Sequence, residues 1–287
     1  MLPIWLLFLE VMIKQGEIYM SDLLLDKRLI AAKEVALLAG ELITKDKSEQ
    51  TKLSYKGKSD VVTLMDVKCE KFIKGYLHER FPHDNFLGEE TGLEEYGNGG
   101  KWVIDPIDGT NNYVHDLPGY TISIAYEEDP YDPIIGVVYS PVHDELYYAQ
   151  QGKGAFCNGS QIYASTMSEI KQALTFTCPP VRVPELIPRF MDLFTTISLE
   201  TGEVRDFGSA ALHYAYLASG KADAYLEYGL NYYDVAAGFV LLKEAGGVYS
   251  YFEEVKTGSF SGNIIASNKE LHQWYTTAIE EVEKKYR

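Results

Sequence analysis

The strongest constraint on the fold is a change of pattern along the chain. Four β-branched or aromatic runs follow one another at 102–105, 121–126, 134–139 and 145–149, with only short turn-rich segments between some of them. Antiparallel strands can be joined by tight turns, so this close spacing predicts an antiparallel meander. From residue 173 onward, strand patterns alternate with helical ones, which predicts an α/β arrangement.

Two helices are predicted before the meander. The first has a cap at Asp22 and runs to about Thr44, and the second begins at Ser59 or Thr63 and ends at Phe81, before Pro82. In the later half, strands are predicted near 173–177, 204–207, 222–227 and 264–266, and helices at 184–196, 209–219, 234–245 and 269–284. We find no long linker, so residues 20–160, an α+β half, and residues 161–287, an α/β half, are expected to share one core.

Composition narrows the class of ligand. The 287 residues include 26 basic and 42 acidic side chains, a net charge of −16. The negative electrostatic potential of such a charge repels nucleic acid and anionic membranes, so neither is an expected partner. Three cysteines without a CxxC pair suit a reducing compartment, and cytoplasm is the expected location. An acidic protein that handles an anionic substrate needs metal cations between the two.

The central candidate for that chemistry is the segment from residue 105 to residue 110. Asp105 ends a predicted strand and Asp108 follows three residues later, so both carboxylates and the Ile107 carbonyl can converge on hard cations. Gly109 and Thr110 come next, and a helix beginning there would offer its free amides to phosphate. The local alternative is a capped turn, with Asp108 as an N-cap and Asp105 as a strand-end residue.

Two other carboxylate motifs are weaker when taken alone. Glu89 and Glu90 lie between two glycines after a short apolar run, a pattern that also suits a solvated surface. Asp234 follows two tyrosines and precedes a predicted helix, where an N-cap alone would explain it.

The joint occurrence of these motifs in this order resembles the inositol monophosphatase family, which are magnesium-dependent, lithium-sensitive sugar phosphatases. The resemblance extends from about residue 22 to the C-terminus. It includes the segments Ser59–Asp66, Gly136–Ser140, Gly152–Gly159 and Val204–Ala211. Departures are Asn111, Tyr113 where the family commonly has Phe, and Tyr233 where it usually has Trp.

The resemblance implies a layered α-β-α-β-α sandwich, in the α/β class, and a homodimer. It implies two or three Mg²⁺ ions in one site, held by Glu89, Asp105, the Ile107 carbonyl, Asp108 and Asp234. Octahedral oxygen ligands are those that Mg²⁺ prefers, and carboxylates shared between ions suit such a cluster.

The implied activity is hydrolysis of myo-inositol monophosphate to inositol and phosphate, by direct attack of a metal-activated water without a phosphoenzyme. Thr110 would orient or deprotonate that water together with Asp66 and Glu89. The implied substrate-binding residues are Asp108, Gly109, Thr110, Gly208, Ser209, Ala210, Glu227 and Asp234. Glu227 has a local alternative as an exposed residue at a strand end.

Two alternative functions stay open. The first is a broader phosphatase acting on fructose 1,6-bisphosphate, NADP(H) or 3′-phosphoadenosine phosphates. Asn111 and Asn112 argue against the last of these, because enzymes for adenosine phosphates usually carry Lys-Glu at those positions. The second alternative is a non-catalytic regulatory protein.

Residues 1–19 lie outside the resemblance, and we predict that they are an over-long gene assignment. Lys14, Gln15, Gly16 and Glu17 can be encoded by AAA CAA GGA GAA, which contains the ribosome-binding sequence AAGGAG shortly before the Met20 codon. The expected product of the native gene therefore begins at Met20. Its intact mass checks this, and a product beginning at Met1 would contradict it.

Overall fold

A computed structural model describes residues 4–45, 53–57, 60–252 and 261–286, and within these ranges the chain forms two mixed sheets, one small hairpin and seven α-helices. The helices are α1 (Ile4–Lys45), α2 (Leu64–Arg80), α3 (Thr110–Val114), α4 (Ile187–Glu200), α5 (Ala210–Ala218), α6 (Tyr232–Glu244) and α7 (His272–Glu283). The strands of the first half are β1 (Leu53–Gly57), β2 (Asp60–Thr63), β3 (Asn85–Gly88), β4 (Gly92–Glu94), β5 (Lys101–Asp108), β6 (Thr121–Asp129), β7 (Asp132–Ser140), β8 (Glu145–Gln150), β9 (Gly154–Cys157) and β10 (Ser160–Ile162). Those of the second half are β11 (Leu174–Cys178), β12 (Glu203–Arg205), β13 (Ala224–Asn231), β14 (Val248–Tyr251) and β15 (Ser261–Ser267).

The larger sheet has eight strands in the order β10-β9-β8-β7-β6-β5-β3-β4. Its strands from β5 to β10 pair antiparallel with their chain neighbours, which confirms the predicted meander. The smaller sheet has the order β12-β11-β13-β15-β14, and β11 runs parallel to both of its neighbours. Helices connect these parallel strands, as the alternating pattern of the second half predicts.

Five layers result from the way the helices cover the two sheets. Helices α1 and α2 pack on one face of the larger sheet, α5 and α6 lie between the sheets, and α4 and α7 cover the outer face of the smaller one. Strand β5 is buried on both faces, with Val103 in the core between the sheets and Ile104 in the core beneath α1 and α2. The α-β-α-β-α sandwich expected from the resemblance is therefore present.

Local sequence explains where α2 begins and ends. The Thr63 hydroxyl accepts from the amides of Met65 and Asp66, and the Asp66 carboxylate accepts from the Thr63 amide at 2.7 Å. This reciprocal capping box selects Thr63 as the start. Ser59, the other predicted start, lies outside the described residues. The helix ends at Arg80 with Phe81 as its C-cap, in agreement with the end predicted from the following proline.

Several predicted boundaries were wrong, and some short strands were missed. Helix α1 begins at Ile4 rather than at Asp22, because capping propensity alone does not interrupt an otherwise continuous helical segment. Helix α6 begins at Tyr232 with Asn231 as its cap, so Asp234 is not an N-cap. Short strands such as β3, β4 and β14 were not predicted, since three or four residues carry too little periodicity.

In the described part of the chain, no helix is both long enough and apolar enough to cross a membrane.

Candidate active site

Three buried carboxylates meet in a pocket between the two sheets. Asp105 and Asp108 lie on β5, and Asp234 lies in the first turn of α6, with exposed fractions of 2%, 9% and 8%. Each can offer an oxygen within 4.8 Å of the others. The two motifs, 126 residues apart in sequence, thus form one cluster of oxygen ligands.

A bulge in β5 allows both of its aspartates to reach this pocket. Residues an odd number of positions apart in a regular strand point to opposite faces. The register of β5 against β6 shifts between Asp105 and Asp108, and the Ile107 amide donates to Asp105 Oδ1 at 3.1 Å within that segment. The extra residue of a bulge re-aims the side chains that follow it. Asp105, Ile107 and Asp108 consequently all line the same cavity.

Asp108 also joins the two halves of the chain. Its Oδ2 accepts from the Ser209 hydroxyl at 2.6 Å and from the Ala211 amide at 2.7 Å, at the start of α5. Free amides and the helix dipole favour an anion at such a position. The cap of the nearby helix α3 is Gly109, so the local interpretation of Asp108 as an N-cap of that helix is wrong.

Burial, together with repulsion between the carboxylates, disfavours the ionised forms of this cluster when no cation is bound. Burial, followed by the charges of Glu89, Asp108 and Asp234, holds the pKa of Asp105 well above its usual range. Burial and Asp108 raise the pKa of Asp234 to about 7, and burial raises that of Asp108 despite the Ser209 hydrogen bond. Carboxylates that destabilise one another in this way fit a site for divalent cations.

Glu89 reaches the cluster from the turn after β3. Its amide donates to the Ile104 carbonyl of β5 at 3.1 Å, which places the turn beside Asp105. The side chain is half-buried and lines the same cavity. The paired glutamates are therefore not simply a solvated surface.

Thr110 and Asp66 form a polar pair at the floor of the site. The Thr110 hydroxyl lies 3.2 Å from Asp66 Oδ1 and 3.0 Å from the Ile107 carbonyl oxygen. Asp66 is fully buried, and burial raises its pKa even though Thr63 and Thr110 both donate to it. Gly109 has a φ of +90°, a conformation that favours glycine, and this turns the chain sharply into α3.

The predicted substrate-binding residues of the second half line the same cavity. Gly208, Ser209 and Ala210 line it at the start of α5, and Glu227 lines it from β13. Burial raises the pKa of Glu227 to about 8, although the Tyr225 hydroxyl donates to it at 2.6 Å. Glu227 sits within β13 rather than exposed at its end, which corrects the local alternative.

Sequence reasoning missed the loop 178–183 that closes one side of the cavity. Among the described residues lining it, Arg182 carries the one positive charge, and this charge lowers the pKa of Asp108 and Asp234. Cys178 lines the cavity too, and burial raises the pKa of its thiol, which disfavours the nucleophilic thiolate. The position of this loop in the sequence could have indicated its role. Ligands bind beyond the carboxyl ends of parallel strands, and this loop follows the parallel strand β11.

Comparison with known proteins agrees with this geometry. The sequence profile described as the inositol monophosphatase family matches residues 24–284. A fructose-1,6-bisphosphatase/inositol-1-monophosphatase from Aquifex aeolicus is 35% identical over 264 residues, which cover 91% of this chain and 97% of that protein. Nus factor SuhB from Escherichia coli K12 is 35% identical over 240 residues, covering 83% and 90%.

Solved structures share the fold as well. The structure of a Thermotoga maritima IMPase superimposes with a TM-score of 0.81 at 32% identity, covering 91% of this chain and 100% of that one. With its five layers and its acidic pocket, the chain has the architecture of a sugar-phosphatase-type α/β protein. It belongs to the inositol monophosphatase family, as the resemblance of its motifs indicates.

We predict that Asp105→Asn stabilises the protein when cations are removed. The folded-state pKa of Asp105 is raised, so its ionised form destabilises the fold, and this loss grows as pH rises through that pKa. In EDTA, the variant should melt above wild type at pH 8, with a smaller difference at pH 5. Adding Mg²⁺ should raise the Tm of wild type more than that of the variant.

The matched control is Asp129→Asn, an exposed change at the end of β6, which should follow wild type throughout. Thermal melting at both pH values measures these effects. A variant less stable than wild type in EDTA at pH 8 would contradict the prediction.

Proposed function

We propose that the protein is a Mg²⁺-dependent phosphomonoesterase that hydrolyses myo-inositol monophosphate. The observation that carries the proposal is the convergence of Asp105, Asp108 and Asp234 within 4.8 Å. Glu89 and Thr110 line the same cavity, and Asp66 accepts a hydrogen bond from the Thr110 hydroxyl. Membership of the inositol monophosphatase family supports a phosphatase activity. The Aquifex relative is named both a fructose-1,6-bisphosphatase and an inositol-1-monophosphatase.

The donor set suits Mg²⁺. Glu89, Asp105 and the Ile107 carbonyl would hold one ion, and Asp105, Asp108 and Asp234 a second, with a third beside Glu89. When bound, the ions would supply positive charge that activates water and neutralises the transferring phosphoryl group. All of these ligands are hard oxygen atoms.

In the proposed reaction, Thr110 positions the attacking water. Its hydroxyl donates to Asp66 Oδ1 at 3.2 Å and lies 3.0 Å from the Ile107 carbonyl oxygen, so its own proton can pass to Asp66 as its oxygen takes one from that water. The raised pKa of Asp66 makes this buried carboxylate a suitable proton acceptor behind Thr110. Glu89 lines the same cavity.

The remaining residues would bind the substrate. The Gly109 and Thr110 amides lie at the start of α3, where helical geometry leaves amides without intrahelical acceptors, and they would donate to phosphate oxygens. Glu227, with its pKa of about 8, keeps a proton near neutral pH and can donate to a polyol hydroxyl. The start of α5, from Gly208 to Ala210, would contact the same polyol, with Asp108 and Asp234 facing it.

The two halves would then divide the work. In this proposal residues 20–160 supply most of the metal ligands. Residues 161–287 complete the site with Asp234 and most of the polyol-binding wall.

We predict Mg²⁺-dependent phosphate release from inositol 1-phosphate, with a higher kcat/KM than from fructose 1,6-bisphosphate, NADP⁺ or 3′-phosphoadenosine 5′-phosphate. Asp105→Asn should lower the rate by about 100-fold or more, because it removes a ligand shared by two ions. Phosphate assays on the four esters, with Asp129→Asn as control, measure this.

Comparable rates on several esters would instead make the protein a broad sugar phosphatase. Release from none would favour a non-catalytic role, which the Nus factor relatives make worth testing.

We predict that Arg182 favours substrates with a second negative group. It is exposed on the loop after β11 and lines the cavity that holds the carboxylates. Hydrogen bonds to charged groups contribute roughly 1.5–3 kcal/mol. Arg182→Met should therefore lower the ratio of kcat/KM for fructose 1,6-bisphosphate to that for inositol 1-phosphate by about 10-fold.

This ratio cancels any general effect of the Arg182 charge on Asp108 and Asp234. The control is Arg205→Met, which removes an exposed arginine paired with Glu203 at 2.6 Å. The ratio should stay at the wild-type value in that control. An unchanged ratio in Arg182→Met would refute the role.

A further inference from the structure

We propose that Glu70 of α2 is a positioning residue, which fixes Glu89 for cation binding by clamping the turn between β3 and β4. The inference rests on the proposed function for the role of Glu89. The contacts that support it lie outside the acidic pocket, on the far side of that turn.

Glu70 is fully buried, and its carboxylate binds the turn directly. Oε2 accepts from the Glu90 amide at 2.8 Å, and Oε1 accepts from the Thr91 amide at 3.1 Å and from the Thr91 hydroxyl at 2.6 Å. These three bonds hold the two residues that follow Glu89. The Glu89 amide itself is held by the Ile104 carbonyl at 3.1 Å. Glu89 therefore projects from a backbone that is tied down on both sides.

The approach of Glu70 to this turn explains Gly88. A Cβ added at Gly88 would lie 2.4 to 2.5 Å from the Glu70 carboxylate atoms, closer than real Cβ contacts. Glycine is thus required for the buried carboxylate to reach the turn, whereas Gly75 in the same helix as Glu70 has open space around it. The two residues act together: Gly88 lets the backbone approach closely, and Glu70 accepts the hydrogen bonds of the turn.

Lys74 makes the buried charge of Glu70 tolerable. Lys74 Nζ lies 3.1 Å from Glu70 Oε1 and 2.9 Å from Glu94 Oε1, and it also bonds the Thr91 hydroxyl. The bond from Lys74, with that from Thr91, lowers the pKa of Glu94 to about 2. The buried Glu70 carboxylate therefore accepts three hydrogen bonds from the turn with a cation beside it.

The other carboxylates of the cluster have hydrogen-bond donors of their own. Asp105 accepts from the Ile107 amide, Asp108 from the start of α5, and Asp234 from the Asn231 amide at 2.6 Å. Loosening the turn should weaken cation binding while leaving the other ligands in place. Changes to groups that orient a metal ligand typically cost 10–100-fold in metal affinity.

The test compares Glu70→Gln with Glu79→Gln in the full chain. Glu79 lies on the same helix with a side chain 84% exposed, so its change controls for the loss of one charge. Mn²⁺ serves as the probe, since it accepts the same oxygen ligands, and its dissociation constant is measured by electron paramagnetic resonance. Glu70→Gln should weaken Mn²⁺ binding by about 10-fold or more, and Glu79→Gln should not change it.

Kinetics separate positioning from a merely structural role. In Glu70→Gln, the Mg²⁺ concentration for half-maximal phosphate release should rise by about 10-fold, while KM for inositol 1-phosphate at saturating Mg²⁺ stays near wild type. Amide hydrogen exchange at 89–91 should accelerate in the variant. Wild-type Mn²⁺ affinity in a folded Glu70→Gln protein would overturn the inference.

Thr91→Val keeps the test decisive if Glu70→Gln fails to fold. It removes one of the three bonds to Glu70, so it should weaken Mn²⁺ binding in the same direction by about 3-fold. Unchanged affinity in a folded Thr91→Val protein would then overturn the inference. If wild type binds Mn²⁺ but hydrolyses none of the esters, the proposed function fails, whereas weaker Mn²⁺ binding in the variants still supports the positioning role.

Discussion

Repulsion between buried carboxylates is the constraint on which the rest of the site depends. Asp105, Asp108 and Asp234 share one pocket, and Glu89 adds to the charge that raises the pKa of Asp105. Without cations this arrangement costs stability, so each carboxylate needs its own support. A β-bulge, a helix start, a capping box and a clamped turn supply those supports, each from a different part of the chain.

Asp108 also links two layers of the fold. Its bonds to Ser209 and Ala211 connect a strand of the larger sheet to a helix that lies between the sheets. Asn112 reinforces the same junction, since its amide donates to Gly119 and to Phe207 at 2.6 Å each. The cluster is consequently built at the contact between the halves, and the geometry of the ligands depends on how the halves pack.

The walls of the pocket differ in chemistry from its floor. The floor is acidic, whereas one side carries the exposed Arg182 on a loop that contains two adjacent prolines. Glu227, whose pKa burial raises to about 8, forms part of another side. With cations held at the floor, as in the proposed function, this combination would suit an anionic group there and hydroxyls or a second anion at the walls. In that proposal, substrate preference depends on the loop and on β13 more than on the ligands that the motifs contain.

Residue pattern by itself determined the meander, the alternating second half and the oxygen chemistry of the three acidic motifs, and it narrowed the start of α2 to Ser59 or Thr63. These are local properties, because periodicity, capping and residue type act over a few positions. Tertiary structure decided which side chains meet. Four features of the site join residues from separate elements. They are the bulge that directs both aspartates into one pocket, the hydrogen bonds of Asp108 to α5, the position of Arg182 at the cavity, and the hydrogen bonds of Glu70 to the Glu89 turn. Such contacts arise only when the layers pack, since nothing in the local pattern of either partner specifies the other.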